Sequence, residues 1–118
     1  MKTYREFIVW QKSMRFVTEI YQVTRKFPES EMYGLVSQMR RSAVSIPSNI
    51  AEGYGRKATA DFLRFLHIAL GSLFELQTQI EVSLNLKYLE RINFDGLFEK
   101  SREIERMLTS LIRKLRVK

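Results

Sequence analysis

Cysteine is absent from this sequence, and histidine, proline and glycine are scarce. The 118 residues include one histidine, His67, two prolines and five glycines. Without cysteine the chain has no disulfide framework, no thiolate nucleophile and no zinc-ribbon site. A single histidine excludes a metal site built from several histidines and argues against a histidine-based catalytic triad. The scarcity of glycine and proline argues against a loop-rich or many-turned β architecture.

Long apolar runs are also missing. No stretch approaches the roughly 18 consecutive apolar residues that would span a membrane, and no apolar run follows the first residues as in a signal peptide. We therefore expect a cytoplasmic protein with no membrane partner. Apolar residues still make up 45% of the chain, which argues against disorder. A length of 118 residues predicts a single domain, 1–118, with one hydrophobic core.

Basic residues are in clear excess over acidic ones. Twenty Lys and Arg oppose thirteen Asp and Glu, which gives a net charge of +7. Residues 1–28 contain six basic and two acidic groups and residues 91–118 eight and four, whereas residues 59–90 contain two and four. The excess is thus concentrated at the two ends of the chain. It indicates an acidic partner, with nucleic acid favoured over an anionic membrane surface.

Apolar residues recur every three or four positions in four segments, which predicts four amphipathic helices. The breaks between them fall at Phe27-Pro28, Gly53-Tyr54-Gly55 and Asn93-Phe94-Asp95-Gly96. The predicted N-caps of the second and fourth helices are Ser30 and Asp95. Pro47 lies inside the second segment and should kink that helix without ending it. The predicted helices cover residues 6–26, 30–53, 59–86 and 95–116.

Helices of this length joined by short loops are typical of an antiparallel up-down four-helix bundle, so the predicted fold class is all-α. The first helix has two apolar stripes. One is a heptad-like seam of Phe7, Trp10, Met14, Val17, Tyr21 and Thr24, and the second consists of Phe16, Ile20, Val23 and Phe27. Because the apolar surface exceeds what one bundle needs, we expect a homo-oligomer.

A polar stripe follows the second predicted helix beside its apolar face. It contains Gln38, Arg41, Ser45, Asn49 and Glu52, and the third helix has a matching stripe of Ser72, Glu75 and Gln79. If the stripes face each other, Arg41 can pair with Glu75, and Asn49 can bond Glu52 or Gln79. We favour a structural polar network that sets helix register or a subunit interface. The other interpretation is a ligand or nucleic-acid site that includes Arg40, Arg41, Asn49, Arg56 and Lys57.

Six cations are the candidates for phosphate contacts: Arg40, Arg56, Lys57, Arg113, Lys114 and Arg116. We expect the first three to be exposed, and the last three belong to a C-terminal tail that ends at Lys118 and contains no acid. Cations at a helix C-terminus also have a purely local explanation, because they interact favourably with the helix dipole.

Catalytic chemistry has little support in the sequence. Glu52 and Glu75 could be paired carboxylates, but the Glu-x-x-His spacing of di-iron bundles is absent, since Thr78 follows Glu75 and Arg64 precedes His67. No nucleophile and base stand in a recognisable pattern. We therefore predict no catalytic residue, no metal site and no cofactor.

Several longer runs together identify a family. Val9-Trp10-Gln11-Lys12 is followed by Gln38-Met39-Arg40-Arg41-Ser42-Ala43, then by Ser45-Ile46-Pro47-Ser48-Asn49-Ile50-Ala51-Glu52-Gly53, and then by Gly71-Ser72-Leu73-Phe74-Glu75-Leu76. Their order and spacing resemble the bacterial four-helix-bundle family encoded in 23S rRNA intervening sequences. The resemblance covers about Phe7 to Leu115, and Ser13, where the family often has Ala, is the only departure noticed.

The resemblance implies small four-helix bundles that assemble as ring-shaped homopentamers, with no established enzymatic activity. The family is also similar to accessory proteins of diversity-generating retroelements, which are basic pentamers that bind nucleic acid and reverse transcriptase. We therefore expect a non-enzymatic RNA-binding or accessory protein. Its expected partners are further copies of itself, RNA or DNA, and a reverse-transcriptase-like protein. The alternative is an oligomeric protein-interaction scaffold with no direct nucleic-acid role.

Overall fold

Four long α-helices account for most of the chain in the computed structural model, which describes residues 3–117. They are α1 (Ile8–Thr24), α2 (Leu35–Tyr54), α3 (Thr59–Asn85) and α4 (Arg91–Arg116). Short 3₁₀ turns at Tyr4–Glu6 and Glu29–Glu31 precede α1 and α2. No strand occurs among the described residues. The prediction of an all-α protein with four helices is confirmed.

Neighbouring helices run in opposite directions, so the bundle is up-down. On α2 and α3, Met39 meets Ser83, whereas Ser45, further along α2, meets the earlier residue Ser72. The same inverse order holds for α1 with α2, α3 with α4, and α4 with α1. For α1 with α2 the contacts that show it are Phe7–Tyr54 and Tyr21–Arg40. For α3 with α4 they are His67–Arg116 and Gln77–Ser101. For α1 with α4 they are Lys12–Glu103 and Glu19–Lys100. The resulting body measures 46 × 24 × 20 Å.

The core runs along the bundle axis and draws on all four helices. Its fully buried members include Ile20, Met39, Ile50, Leu66, Leu73, Ile80, Ile104 and Leu108. The second predicted stripe supplies the buried apolar residues Phe16, Ile20 and Phe27, whereas Met14 and Tyr21 of the heptad-like seam are exposed. Phe7, Trp10 and Val17 of the seam are partly buried against the core and Thr24 is buried, so only part of the seam leaves apolar surface uncovered.

Two predicted helix starts are wrong. Ser30 lies in the 3₁₀ turn, and α2 begins only at Leu35, whose N–H donates to Glu31 Oε1 at 3.2 Å. Asp95 lies in the second turn of α4, which begins at Arg91. Sequence signals placed the first of these starts too early and the second too late, because polar side chains of the N-cap type also occur outside the caps.

The turn between α3 and α4 explains the early start of α4. Lys87 has a φ of 67°, and its N–H donates to the Leu84 carbonyl while the Tyr88 N–H donates to the Ser83 carbonyl. This is a Schellman motif, in which a left-handed residue, usually glycine, closes the helix. Because lysine occupies the left-handed position here, no glycine marks the turn in the sequence, and Gly96 was a false signal.

The phenol of Tyr88 fixes this turn to the segment before α2. Its Oη donates to Glu31 Oε2 at 2.8 Å, and its ring lies 5.3 Å from that of Phe27. The hydrogen bond to Glu31, followed by burial and the carboxylate charge, raises the pKa of Tyr88 above its ordinary value. A raised folded pKa means that the bond stabilises the fold below the phenol's ordinary pKa of about 10 and is lost as pH rises through the folded value.

We expect Tyr88→Phe to remove a tyrosine that ionises above the ordinary tyrosine pKa in an absorbance titration. The substitution should also lower stability at neutral pH, and the difference from the parent protein should close above about pH 10. The control is Tyr33→Phe, since Tyr33 is 97% exposed. A stability difference that persists unchanged in strongly alkaline solution would contradict this assignment.

Candidate nucleic-acid interface

One end of the bundle gathers five of the six predicted phosphate-contacting residues. The end of α2 meets the start of α3, where Gly53 packs on Phe65, and the end of α4 meets α3, where Arg116 Nη2 lies 3.2 Å from His67 Nε2. This antiparallel arrangement places two separate parts of the sequence at the same end. We call this cluster the basic end: Arg56, Lys57, Arg113, Lys114 and Arg116.

The members of the basic end differ in how firmly they are held. Arg56 forms an ion pair with Glu52 at 2.9 Å, and its guanidinium lies 4.9 Å from the centroid of the Phe65 ring. Lys57, Arg113 and Lys114 are exposed and make no ion pair within residues 3–117. They are therefore the members with the most freedom to contact an anion. Lys118, the last cation of the predicted tail, lies outside the described residues.

Arg40 is not part of this surface, and the expectation that it is exposed is wrong. Its Nε donates to Thr24 Oγ1 at 3.0 Å, and its Nη2 donates to the Tyr21 carbonyl at 3.3 Å. The guanidinium also stacks on Tyr21, 4.5 Å from the ring centroid. These contacts give hydrogen bonds to a hydroxyl and a carbonyl in the C-terminal turn of α1, so Arg40 joins α2 to α1.

A groove between α1 and α4 adds cations that sequence reasoning missed. Two hollows of about 460 and 190 Å³ adjoin at Glu103. Besides apolar residues, this α1/α4 groove is lined by Lys12, Arg15, Lys100, Arg106 and Lys114, against the two carboxylates Glu19 and Glu103. Lys114 belongs to both the groove and the basic end, so the two form one continuous basic surface.

Two ion pairs cross the α1/α4 groove. Lys12 Nζ lies 3.2 Å from Glu103 Oε2, and Lys100 pairs with Glu19. With these carboxylates neutralised, Arg15 and Lys114 remain without an ion-pair partner in the described chain. The sequence does contain a signal for this groove, because Lys12, Arg15 and Glu19 recur at helical spacing, as do Lys100, Glu103 and Arg106 on α4.

The polar stripes of α2 and α3 do face each other, but they bond through serines. Ser45 Oγ and Ser72 Oγ lie 2.8 Å apart, and Asn49 Nδ2 donates to the carbonyl and the hydroxyl of Ser45. Asn49 therefore does not bond Glu52 or Gln79. The expected ion pair between Arg41 and Glu75 is also absent, although both line a hollow of about 220 Å³ together with Gln38, Ser42, Ser45 and Ser72.

The remaining members of the predicted polar network lie elsewhere. Glu52 is exposed and pairs with Arg56. Gln79 is buried, and its Oε1 has no hydrogen-bond partner among residues 3–117. A second inter-helix network, which sequence reasoning missed, joins α3 to α4 through Gln77 Nε2, which donates to Ser101 Oγ and Glu105 Oε1. No group of three metal-binding side chains occurs in the described part of the chain.

The length and apolar character of the helices bear on any membrane contact. None of the helices in the described region is long and apolar enough to cross a membrane.

Comparisons with known proteins place these observations in context. The family model described as 23S rRNA-intervening sequence protein matches residues 5–110. A crystal structure of a protein of unknown function from the S23 ribosomal protein family of Bacteroides thetaiotaomicron is 29% identical in sequence, with a TM-score of 0.83. The match covers 90% of this chain and 96% of that one. No curated protein matches the chain. Neither description names a catalytic activity.

Proposed function

The chain belongs to the 23S rRNA-intervening sequence protein family, and we propose that it is a non-enzymatic, homo-oligomeric protein that binds RNA through the basic end and the α1/α4 groove. The observation that carries this proposal is the continuity of the two surfaces at Lys114. Cations from α1, from the α2–α3 turn and from α4 thereby follow one side and one end of the bundle. Clustered Lys and Arg are the footprint expected for a phosphate backbone.

The proposed assembly is a homopentamer in the cytoplasm, the form that the family resemblance implies. In a ring each chain with its net charge of +7 contributes one basic surface. Several weak contacts to one RNA then combine into a higher overall affinity. An accessory role beside a reverse-transcriptase-like protein fits the same surface, because such a partner itself carries nucleic acid.

Titration of a labelled single-stranded RNA with the full-length protein at several salt concentrations tests this proposal. The logarithm of affinity should fall linearly with the logarithm of salt concentration, with a slope of about −0.7 for each phosphate neutralised. Arg113→Ala combined with Lys114→Ala should make the slope shallower by about one unit. No measurable binding at about 50 mM salt would overturn the proposal.

A protein-interaction scaffold with no direct nucleic-acid role is the second candidate. It is favoured by the exposed apolar side chains of α1 and α3, which include Met14, Ile68 and Phe74. Arg41 is also exposed and has no ion-pair partner in the described region. Under this function Arg41→Ala lowers the mass of the assembly in light scattering, and any RNA binding does not depend on the basic end.

A further inference from the structure

One face of α3 has an exposed stripe of apolar and acidic residues. Its exposed residues Ile68, Gly71, Glu75, Thr78 and Val82 follow one another at spacings of 3, 4, 3 and 4. We call these five residues the α3 ridge. Between Phe65 and Leu86 the helix contains Glu75 and Glu81 but no Lys or Arg. A regular 3–4 spacing is the pattern of a helix face that packs against other helices.

Gly71 is the second of the five ridge residues and has open space around it. A Cβ atom built at this position would meet no atom within 4 Å, and the residue does not have a positive φ. Glycine in the middle of a helix is less stable than alanine, so the monomer would gain from a side chain here. Gly96 of α4 is equally open, so the argument for Gly71 is its place in the ridge, where a glycine permits close approach by another molecule.

A second uncovered surface lies between α1 and α2, and Arg41 connects it to the hollow that contains Glu75. Two hollows of about 330 and 420 Å³ meet at Val44. Together they form the α1/α2 groove, whose apolar lining includes Tyr4, Trp10, Met14, Tyr21, Met32, Val44 and Pro47. Its charged lining residues are Arg40 and Arg41, and no carboxylate is among its lining residues.

We propose that the α3 ridge of one copy of this chain docks into the α1/α2 groove of a second copy. The ridge is convex, apolar and acidic, whereas the groove is concave, apolar and cationic. Glu75 and Arg41 make no ion pair within the described chain, so both are available to partners on another copy. A contact between two different surfaces is head-to-tail, and repetition of such a contact gives a ring where the rotation closes and an open filament where it does not. This inference rests on the proposed homo-oligomer and supplies its interface.

The docking surfaces avoid the proposed RNA surface. No residue of the ridge lines the α1/α4 groove, and the α1/α2 groove shares no lining residue with it. Assembly through ridge and groove therefore leaves the basic end and the α1/α4 groove of every copy open. Self-association and RNA binding can then be tested with separate substitutions.

Complementation between two defective variants tests the head-to-tail geometry. Gly71→Phe should block the ridge, and Met14→Glu should block the groove, since Met14 is 43% exposed and lines it. Each variant alone should sediment as a monomer of 14.0 kDa. An equimolar mixture should form a heterodimer of twice that mass, because one intact ridge still meets one intact groove. Val82→Lys serves as a second ridge variant should Gly71→Phe lower the helical circular dichroism.

The matched control is Gly96→Phe on α4, where a Cβ likewise meets no atom within 4 Å. This variant should keep the mass of the parent assembly. A monomeric parent protein, a parental mass for Met14→Glu alone, or a mixture that stays monomeric would each overturn the inference. A parent protein that assembles but binds no RNA would overturn the proposed function and leave the docking intact.

Discussion

Replacement of Gly53 by alanine is expected to destabilise the bundle, although alanine normally favours a helix. A Cβ at this position would lie 2.7 Å from Phe65 Cβ and 3.0 Å from Phe62 Cδ1. Because Phe65 Cβ is fixed to the α3 backbone, α2 and α3 would have to move apart. Overpacking of this kind costs about 1–3 kcal/mol, which exceeds the gain in helix propensity of up to about 1 kcal/mol. Gly53→Leu should destabilise the fold further.

Urea unfolding of Gly53→Ala and of Gly96→Ala in parallel separates the cost of overpacking from the gain in helix propensity. Gly96 lies in α4, and a side chain there would be open to solvent, since no atom lies within 4 Å of the Cβ position. Gly96→Ala should therefore raise the unfolding free energy by up to about 1 kcal/mol. Equal gains for the two variants would show that α2 and α3 are not in close contact at Gly53.

The helix interiors were predictable because burial imposes a period on the sequence. Leu66, Leu73 and Ile80 recur at intervals of seven and are fully buried, and this period needs no knowledge of the neighbouring helices. Helix ends depend on a few backbone angles instead. The left-handed Lys87 closes α3 without a glycine, so the start of α4 at Arg91 had no clear sequence signal.

The basic end was predictable because it depends only on the order and direction of the helices. In an up-down bundle the α2–α3 turn and the end of α4 lie at the same end of the bundle, which brings Lys57 and Arg113 to one surface. The sequence could not show which of Arg40 and Arg41 is exposed. Adjacent residues point about 100° apart around a helix, so the answer depends on how α2 is rotated against its neighbours. The structure turns Arg40 towards α1 and leaves Arg41 exposed, the reverse of the expectation.

The α1/α4 groove depends on the one packing contact that closes the bundle. α1 and α4 lie at opposite ends of the sequence, and they pack less extensively than the other neighbouring helices. Local periodicity gives no information on which faces of such distant helices meet. Arg15 and Arg106 could be assigned to one surface only after the register of Lys12 with Glu103 was known.

Charge reversal in this groove should have the largest effect on RNA affinity. Arg15→Glu, Arg106→Glu and Lys114→Glu together replace three attractions to phosphates by three repulsions. The affinity for single-stranded RNA should fall by about 100-fold or more at about 100 mM salt, and the salt dependence should become shallower by about two units. Anisotropy titrations of the triple variant measure both quantities, and light scattering confirms that its assembled mass is unchanged.

A matched triple variant at the opposite end of the bundle separates a local site from a general effect of net charge. Arg25→Glu, Lys26→Glu and Arg91→Glu change the charge by the same amount, and Arg91 has an exposed carboxylate neighbour, Asp95, as Arg106 has Glu99. This control should lose several-fold less affinity, because screening limits exposed charges to an effect over about 10 Å at 0.1 M salt. Equal losses in the two variants would mean that RNA responds to overall charge and not to the groove.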